Sequence, residues 1–131
     1  MSEENVEIVR HVYELFNAGG PAWIDELAED VEIDERVLAP DTGVYRGHEG
    51  VRRWAGKALD AFEPARYEVQ RWIDGDDVVV TDLILHARGV SSGVPTRTRL
   101  GHLVRVREEK IVYIASFPTV EEALEAAGLS E

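Results

Sequence analysis

Two strand-like runs carry the residues most able to do chemistry. In Thr96 to Arg107, residues Arg97, Arg99, Arg105 and Arg107 share one parity, while Thr98, Leu100, His102, Val104 and Val106 share the other. Period-two alternation sends the arginines toward solvent or a partner and the second set toward the core. His102 is then a titratable group on an apolar face, and burial obliges it to have a hydrogen-bond partner. Two readings stand: a core histidine satisfied by a carbonyl or a water, or a donor or proton acceptor lining a pocket. In Val78 to Arg88, the set Val78, Val80, Asp82, Ile84, His86 alternates with Val79, Thr81, Leu83, Leu85, Ala87. Asp82 and His86 either stand in water or face inward beside His102. Apolar residues on both faces of this run suggest that one face packs on another subunit.

Other chemistries are poorly supplied. The four histidines (11, 48, 86 and 102) form neither HxH nor HExxH, so no metal site is expected. With no cysteine there is no disulfide, thiolate ligand or sulfur nucleophile. Ser91-Ser92-Gly93 lacks the strand–turn–helix setting of a nucleophile elbow, and no Gly-rich phosphate loop is present. Seven acidic residues crowd between Asp25 and Glu35 and read mainly as a solvated or repelling patch. Across 131 residues, 14 Lys and Arg face 26 Asp and Glu, a formal charge of −12. That charge disfavours nucleic acid and anionic membrane as partners. No apolar run approaches a membrane span and the start is acidic, so a cytoplasmic protein is expected by elimination.

The elements that must position these groups are legible in outline, as one domain over residues 1–131. Val6, Val9, Val12, Tyr13 and Phe16 recur at helical spacing over Ser2 to Asn17, with Ser2 as a cap. Pro21 opens a second helix to about Ala28. Val31 and Ile33 alternate with Glu32 and Asp34 in a short strand, and residues 39–43 form a turn. A third helix follows Arg46-Gly47-His48-Glu49-Gly50, with Val51, Trp54, Ala55, Ala58, Leu59 and Phe62 on one face and Pro64 closing it; His48 reads as a surface residue. Four long runs separated by turns then make an antiparallel meander over Arg66 to Phe117. Thr119 caps a last helix through Ala126, ended by Gly128. Helices, a meander and a short helix argue an α+β fold, with helices on one face of a curved sheet. Aromatics at helical spacing are usually core, yet Tyr13, Phe16, Trp23, Trp54 and Phe62 could converge where helices meet the sheet and line an apolar pocket.

Three segments resemble the SnoaL-like branch of the nuclear transport factor 2-like superfamily: Tyr13-Glu14-Leu15-Phe16-Asn17-Ala18-Gly19, Tyr45 through Trp54, and Gly101-His102-Leu103-Val104 with Lys110-Ile111-Val112. The resemblance implies a cone-shaped α+β barrel, a curved antiparallel sheet around three N-terminal helices, with a deep pocket and pairing into a homodimer through the sheet. It implies no cofactor and a small apolar molecule as ligand. Activities across the superfamily range from cyclases and isomerases to hydrolases and plain binding domains, so fold alone does not choose. Asp34 falls where isomerase-like members keep a carboxylate base, and His102 where they keep an oxyanion donor. SnoaL-like cyclases are similar in keeping a histidine at the position of His102. Their catalytic aspartate falls near Ser116, which is counted with the pocket. The isomerase tyrosine falls near Val12, one step from Tyr13. These matches imply Asp34 as a general base, its pKa raised by an apolar pocket, facing His102 across a hollow. Asp82 or His86 would orient His102 or touch the substrate. The alternative is a pocket that holds a hydrophobic ligand, or a dimeric interaction module, without turnover.

Overall fold

The computed structural model describes residues 2–41 and 43–129; the expected Ser2 cap, the side chain of Leu59 and Thr42 lie outside what it describes. The order is α1 (Ser2–Ala18), α2 (Ala22–Asp25), β1 (Glu32–Asp34), β2 (Val44–Arg46), α3 (Gly47–Ala61), β3 (Phe62–Asp74), β4 (Val78–Gly89), β5 (Pro95–Arg107), β6 (Lys110–Phe117) and α4 (Val120–Ala127). The six strands form one curved sheet in the order β2-β1-β6-β5-β4-β3. Its two edges, β2 and β3, do not meet, so the expected barrel is an open sheet. Nor is it wholly antiparallel, because β1 runs parallel to β6, pairing Ile33 with Ile114 and Asp34 with Ala115.

Alternation along the strands creates two different faces. Val79, Leu83, Leu100, Val104 and Val106 join Val9, Val12, Trp23, Ile24 and Leu27 in the main core under α1 and α2. Val80, one residue along from Val79, instead packs with Val120, Ala123 and Leu124 of α4. The apolar residues on both faces of β4 are thus explained within the chain. The helices are not all on one face: α4 covers part of the outer one. Gly101 permits this approach, since a Cβ there would stand 2.6 Å from the Thr119 carbonyl oxygen and 2.8 Å from Val120 Cα. Thr119 caps α4 through its side chain, which accepts from Glu122 N–H, and Gly128 ends it with φ +75°, as expected.

β2 is an element the sequence reading does not separate from the turn before it. Three residues suffice because β1 supplies its hydrogen bonds, Ile33 pairing with Tyr45. Gly47 then turns the chain into α3 with φ +70°, a conformation that disfavours any Cβ. His48 is half-buried there, its ring within 2.8 Å of the Leu27 carbonyl, so it fastens α3 to the segment after α2. α2 is one short turn rather than a helix to Ala28. Pro64 does not follow a gap: β3 begins directly at Phe62.

Candidate functional site

The inner face of the sheet, α1, α2 and α3 enclose a chamber lined chiefly by Tyr13, Phe16, Trp23, Glu35, Trp54, Tyr67, His102 and Ser116. Its cavity volume is about 30 Å³, enough for roughly two waters. Aromatic contacts fix its walls. Phe16 stacks on Tyr67 with ring centres 4.5 Å apart, and Trp23 meets Phe16 edge-on at 5.4 Å and Trp54 at 5.9 Å. Tyr67 is placed from α1: Asn17 donates to the Tyr67 carbonyl and accepts from its N–H, both at 2.8 Å. That pair satisfies backbone groups on an edge strand that has no neighbouring strand on that side among the described residues. A register shift between Val69 and Arg71 changes the parity of β3, so Tyr67, Val69 and Trp72 all pack toward the main core.

His102 sits on β5 opposite Thr81 on β4 and Ser116 on β6, 3% exposed, as the alternation predicts. Its partner is neither a carbonyl nor Asp82. Nδ1 lies 2.7 Å from the Tyr13 hydroxyl, which in turn lies 3.1 Å from the Thr81 hydroxyl. Burial pushes the imidazole pKa down to about 4, so the ring is neutral at pH 7. Burial also pushes both the Tyr13 and Tyr67 phenols up, so both stay protonated.

Asp34 is the principal correction. It is buried, but it shares its parity with Glu32 on the outer side of the sheet, while Ile33 points into the chamber. Its carboxylate accepts from Arg36 Nε at 2.9 Å, Arg36 Nη2 at 2.8 Å, Arg36 N–H at 3.1 Å and the Tyr113 hydroxyl at 2.7 Å. The Arg36 bonds, with Tyr113 behind them, hold its pKa far below the usual carboxylate range. It is therefore a fixed anion, not a base tuned upward, and it does not look at His102. The carboxyl in the chamber is Glu35, next in the chain. Burial raises its pKa, opposed by the Ser116 hydroxyl and the Trp54 indole; the nearby Asp34 charge raises it further. Trp54 Nε1 donates to Glu35 Oε1 at 3.2 Å, whereas the buried Oε2 has no hydrogen-bond partner among the described residues.

Asp82, His86 and Phe62 also stand away from the chamber. Asp82 is buried on the outer face, where Arg99 grips both its oxygens at 3.1 and 2.8 Å. His86 pairs with Glu68 at 2.7 Å on the same face. Phe62 is 43% exposed at the start of β3. Tyr13, Phe16, Trp23, Trp54 and Ser116 do line the chamber, and Tyr67 joins them. No cluster of three or more histidines or carboxylates able to hold a metal occurs among the described residues. Nor, among them, is any helix long and apolar enough to cross a membrane.

Comparison with known proteins agrees with this architecture. The family model for the SnoaL-like domain matches residues 9–114. No curated protein matches the chain by sequence. Solved structures of the same fold include a ketosteroid isomerase-like-fold protein from Catenulispora acidiphila in complex with trimethylamine, 18% identical with a TM-score of 0.75, covering 95% of this chain and 94% of its own. An NTF2-like protein of unknown function from Burkholderia pseudomallei is 19% identical with a TM-score of 0.78, covering 93% and 95%. TerC, co-crystallised with polyporic acid, is 16% identical with a TM-score of 0.79, covering 94% and 96%. At such identities these likenesses show the fold alone.

Proposed function

The chain belongs to the SnoaL-like domain family, and on that premise we propose that its chamber takes a small, largely apolar carbonyl compound and moves a proton on it. The observation that carries this reading is the Glu35 carboxyl, buried among aromatic rings with one oxygen free and its pKa raised. A carboxyl whose pKa is raised by burial suits general acid–base work. In its ionised form Glu35 takes a proton from the carbon beside the carbonyl. The C–H electron pair becomes a C=C bond and the carbonyl π pair moves onto oxygen. A neutral imidazole N–H at His102 stabilises that oxygen, and Glu35 returns the proton to the same or another carbon. With room for about two waters, a larger substrate requires the Trp54 and Phe16 rings to shift. The test is hydrogen exchange at the α-carbon of cyclic ketones in deuterated water, followed by NMR. Glu35→Gln should slow it at least about 100-fold; an unchanged rate rejects the mechanism.

A second reading, binding without turnover, is favoured by the same free oxygen. An unpartnered carboxylate oxygen inside a ring of aromatic faces suits a small alkylammonium ion, the class of ligand present in the C. acidiphila structure. Calorimetric titration with trimethylammonium at pH 7 separates the two, with Glu35→Gln abolishing any heat. We propose also that two copies pair across the outer sheet face, where Leu103, Arg105, Tyr113 and Phe117 line an open groove beside α4. A monomer by sedimentation at micromolar concentration rejects that pairing.

A further inference from the structure

The buried trio Thr81, Tyr13 and His102 is drawn from three elements, Tyr13 and His102 line the chamber with Thr81 behind them, and the hydrogen bonds of the trio have a direction. Among the described residues, the Thr81 hydroxyl has one hydrogen-bond partner, the Tyr13 oxygen. The Tyr13 hydroxyl has two, Thr81 and His102 Nδ1. A neutral imidazole carries a single N–H, on either nitrogen. Suppose it were on Nδ1. That N–H would donate to Tyr13, whose hydroxyl would then either donate to Thr81, stranding the Thr81 proton in a site with no exposure, or accept from Thr81 as well, leaving its own O–H with no acceptor among the described residues. Stranding a buried donor is costly. Suppose instead that it is on Nε2. Thr81 then donates to Tyr13, Tyr13 donates to Nδ1, and every proton in the trio has an acceptor except Nε2–H, which is left for the chamber.

We infer that Tyr13, backed by Thr81, is a positioning residue that fixes His102 as a one-way donor, so that the ligand atom meeting His102 must be a hydrogen-bond acceptor. The inference rests on the chamber being a ligand site, and it narrows the ligand to molecules bearing a carbonyl-type oxygen at that end. Each link strengthens the next, because a hydroxyl that accepts a bond becomes a better donor. The chain thus sharpens Nε2–H as a donor without charging the ring, which its burial would resist.

The tautomer is measured directly by NMR of ¹⁵N-histidine-labelled protein at pH 7, with no ligand added. We expect His102 to carry its proton on Nε2, with Nδ1 showing the signature of a hydrogen-bonded imine. A proton on Nδ1 overturns the inference, whether or not the protein proves to be an enzyme. The second measurement compares cyclopentanone with cyclopentane by NMR titration of the wild type and Tyr13→Phe. Losing the Tyr13 hydroxyl should weaken cyclopentanone binding about tenfold and leave cyclopentane unchanged. Equal weakening of both, or no change in either, reduces Tyr13 to a packing residue and refutes its positioning role. The tautomer measurement needs only the wild-type protein, so it decides even if the variant fails to fold. Absence of proton exchange with correct tautomer and ketone selectivity would reject the catalytic reading alone.

Discussion

Asp34→Asn separates the structural carboxylate from the one in the chamber. The substitution preserves shape and leaves one oxygen, which at the Oδ1 position keeps the two bonds from Arg36 N–H and Nε, while the amide nitrogen replaces the oxygen that takes Arg36 Nη2 and the Tyr113 hydroxyl. The Arg36 guanidinium stands largely in water, its side chain 63% exposed, so its ion pair adds little stability. The main loss is the Tyr113 hydroxyl bond to a buried charged oxygen at 2.7 Å, together with an amide placed against a guanidinium. Bonds to charged groups contribute about 1.5–3 kcal/mol, so a loss of about 2 kcal/mol is expected. For a chain of this length that corresponds to a Tm lower by about 7 °C. The pH dependence has a definite sign. A carboxyl whose folded pKa is depressed contributes stability above its ordinary value of about 3.9 and loses it as the pH falls below that. The gap between wild type and variant should therefore be constant from pH 8 to about pH 5 and begin to narrow below about pH 4, continuing to shrink as the pH falls toward the depressed folded value. Urea unfolding at pH 7, 5 and 3.5 reads the gap, and ketone exchange at pH 7 reads the chamber. Full stability with lost exchange would refute the assignment of Asp34 to the outer face.

Three further outcomes follow from the same geometry. Glu35→Gln removes a buried carboxyl whose folded pKa is raised; the wild type loses stability as the pH rises from the ordinary carboxylate range of about 4.3 through the raised folded value, so in urea unfolding the variant should gain on it over that rise and hold the gain above it. Gly101→Ala drives a Cβ against the backbone at Thr119 and Val120, atoms that cannot swing aside, and should cost about 2 kcal/mol with faster amide exchange throughout α4. Thr119→Ala removes the cap that accepts from Glu122 N–H and should cost about 1 kcal/mol, read by thermal unfolding.

The exchange of Asp34 for Glu35 shows how legibility fails over a single residue. Alternation through Val31 and Ile33 sends Glu35 inward with them and turns Asp34 outward, so the signal was present in the residue pattern. Family register pointed to the neighbouring residue instead. Asp82 and His86 are a different case. Parity set them opposite Leu83 and Leu85 correctly, but whether that side met water, a subunit or a helix depended on α4 folding back across the sheet.

Some properties belong to the sequence alone. Periodicity of two and of 3.6 set the four long strands and the two long helices, because burial acts on whichever side chains share a face. The same alternation put His102 on the inner face of β5. The turn residues placed the ends of β4 and β6, and Thr119 with Gly128 bounded α4. Other properties needed the chain to close on itself. The Tyr13–His102 hydrogen bond joins groups 89 residues apart, and no local pattern encodes a distance across a core. Tyr67 entered the chamber through a bulge and a clasp from Asn17. Glu35 became a candidate base only once Trp54, Trp23 and the sheet had taken water away from it, since a carboxyl's acidity is a property of its surroundings and not of its place in the chain.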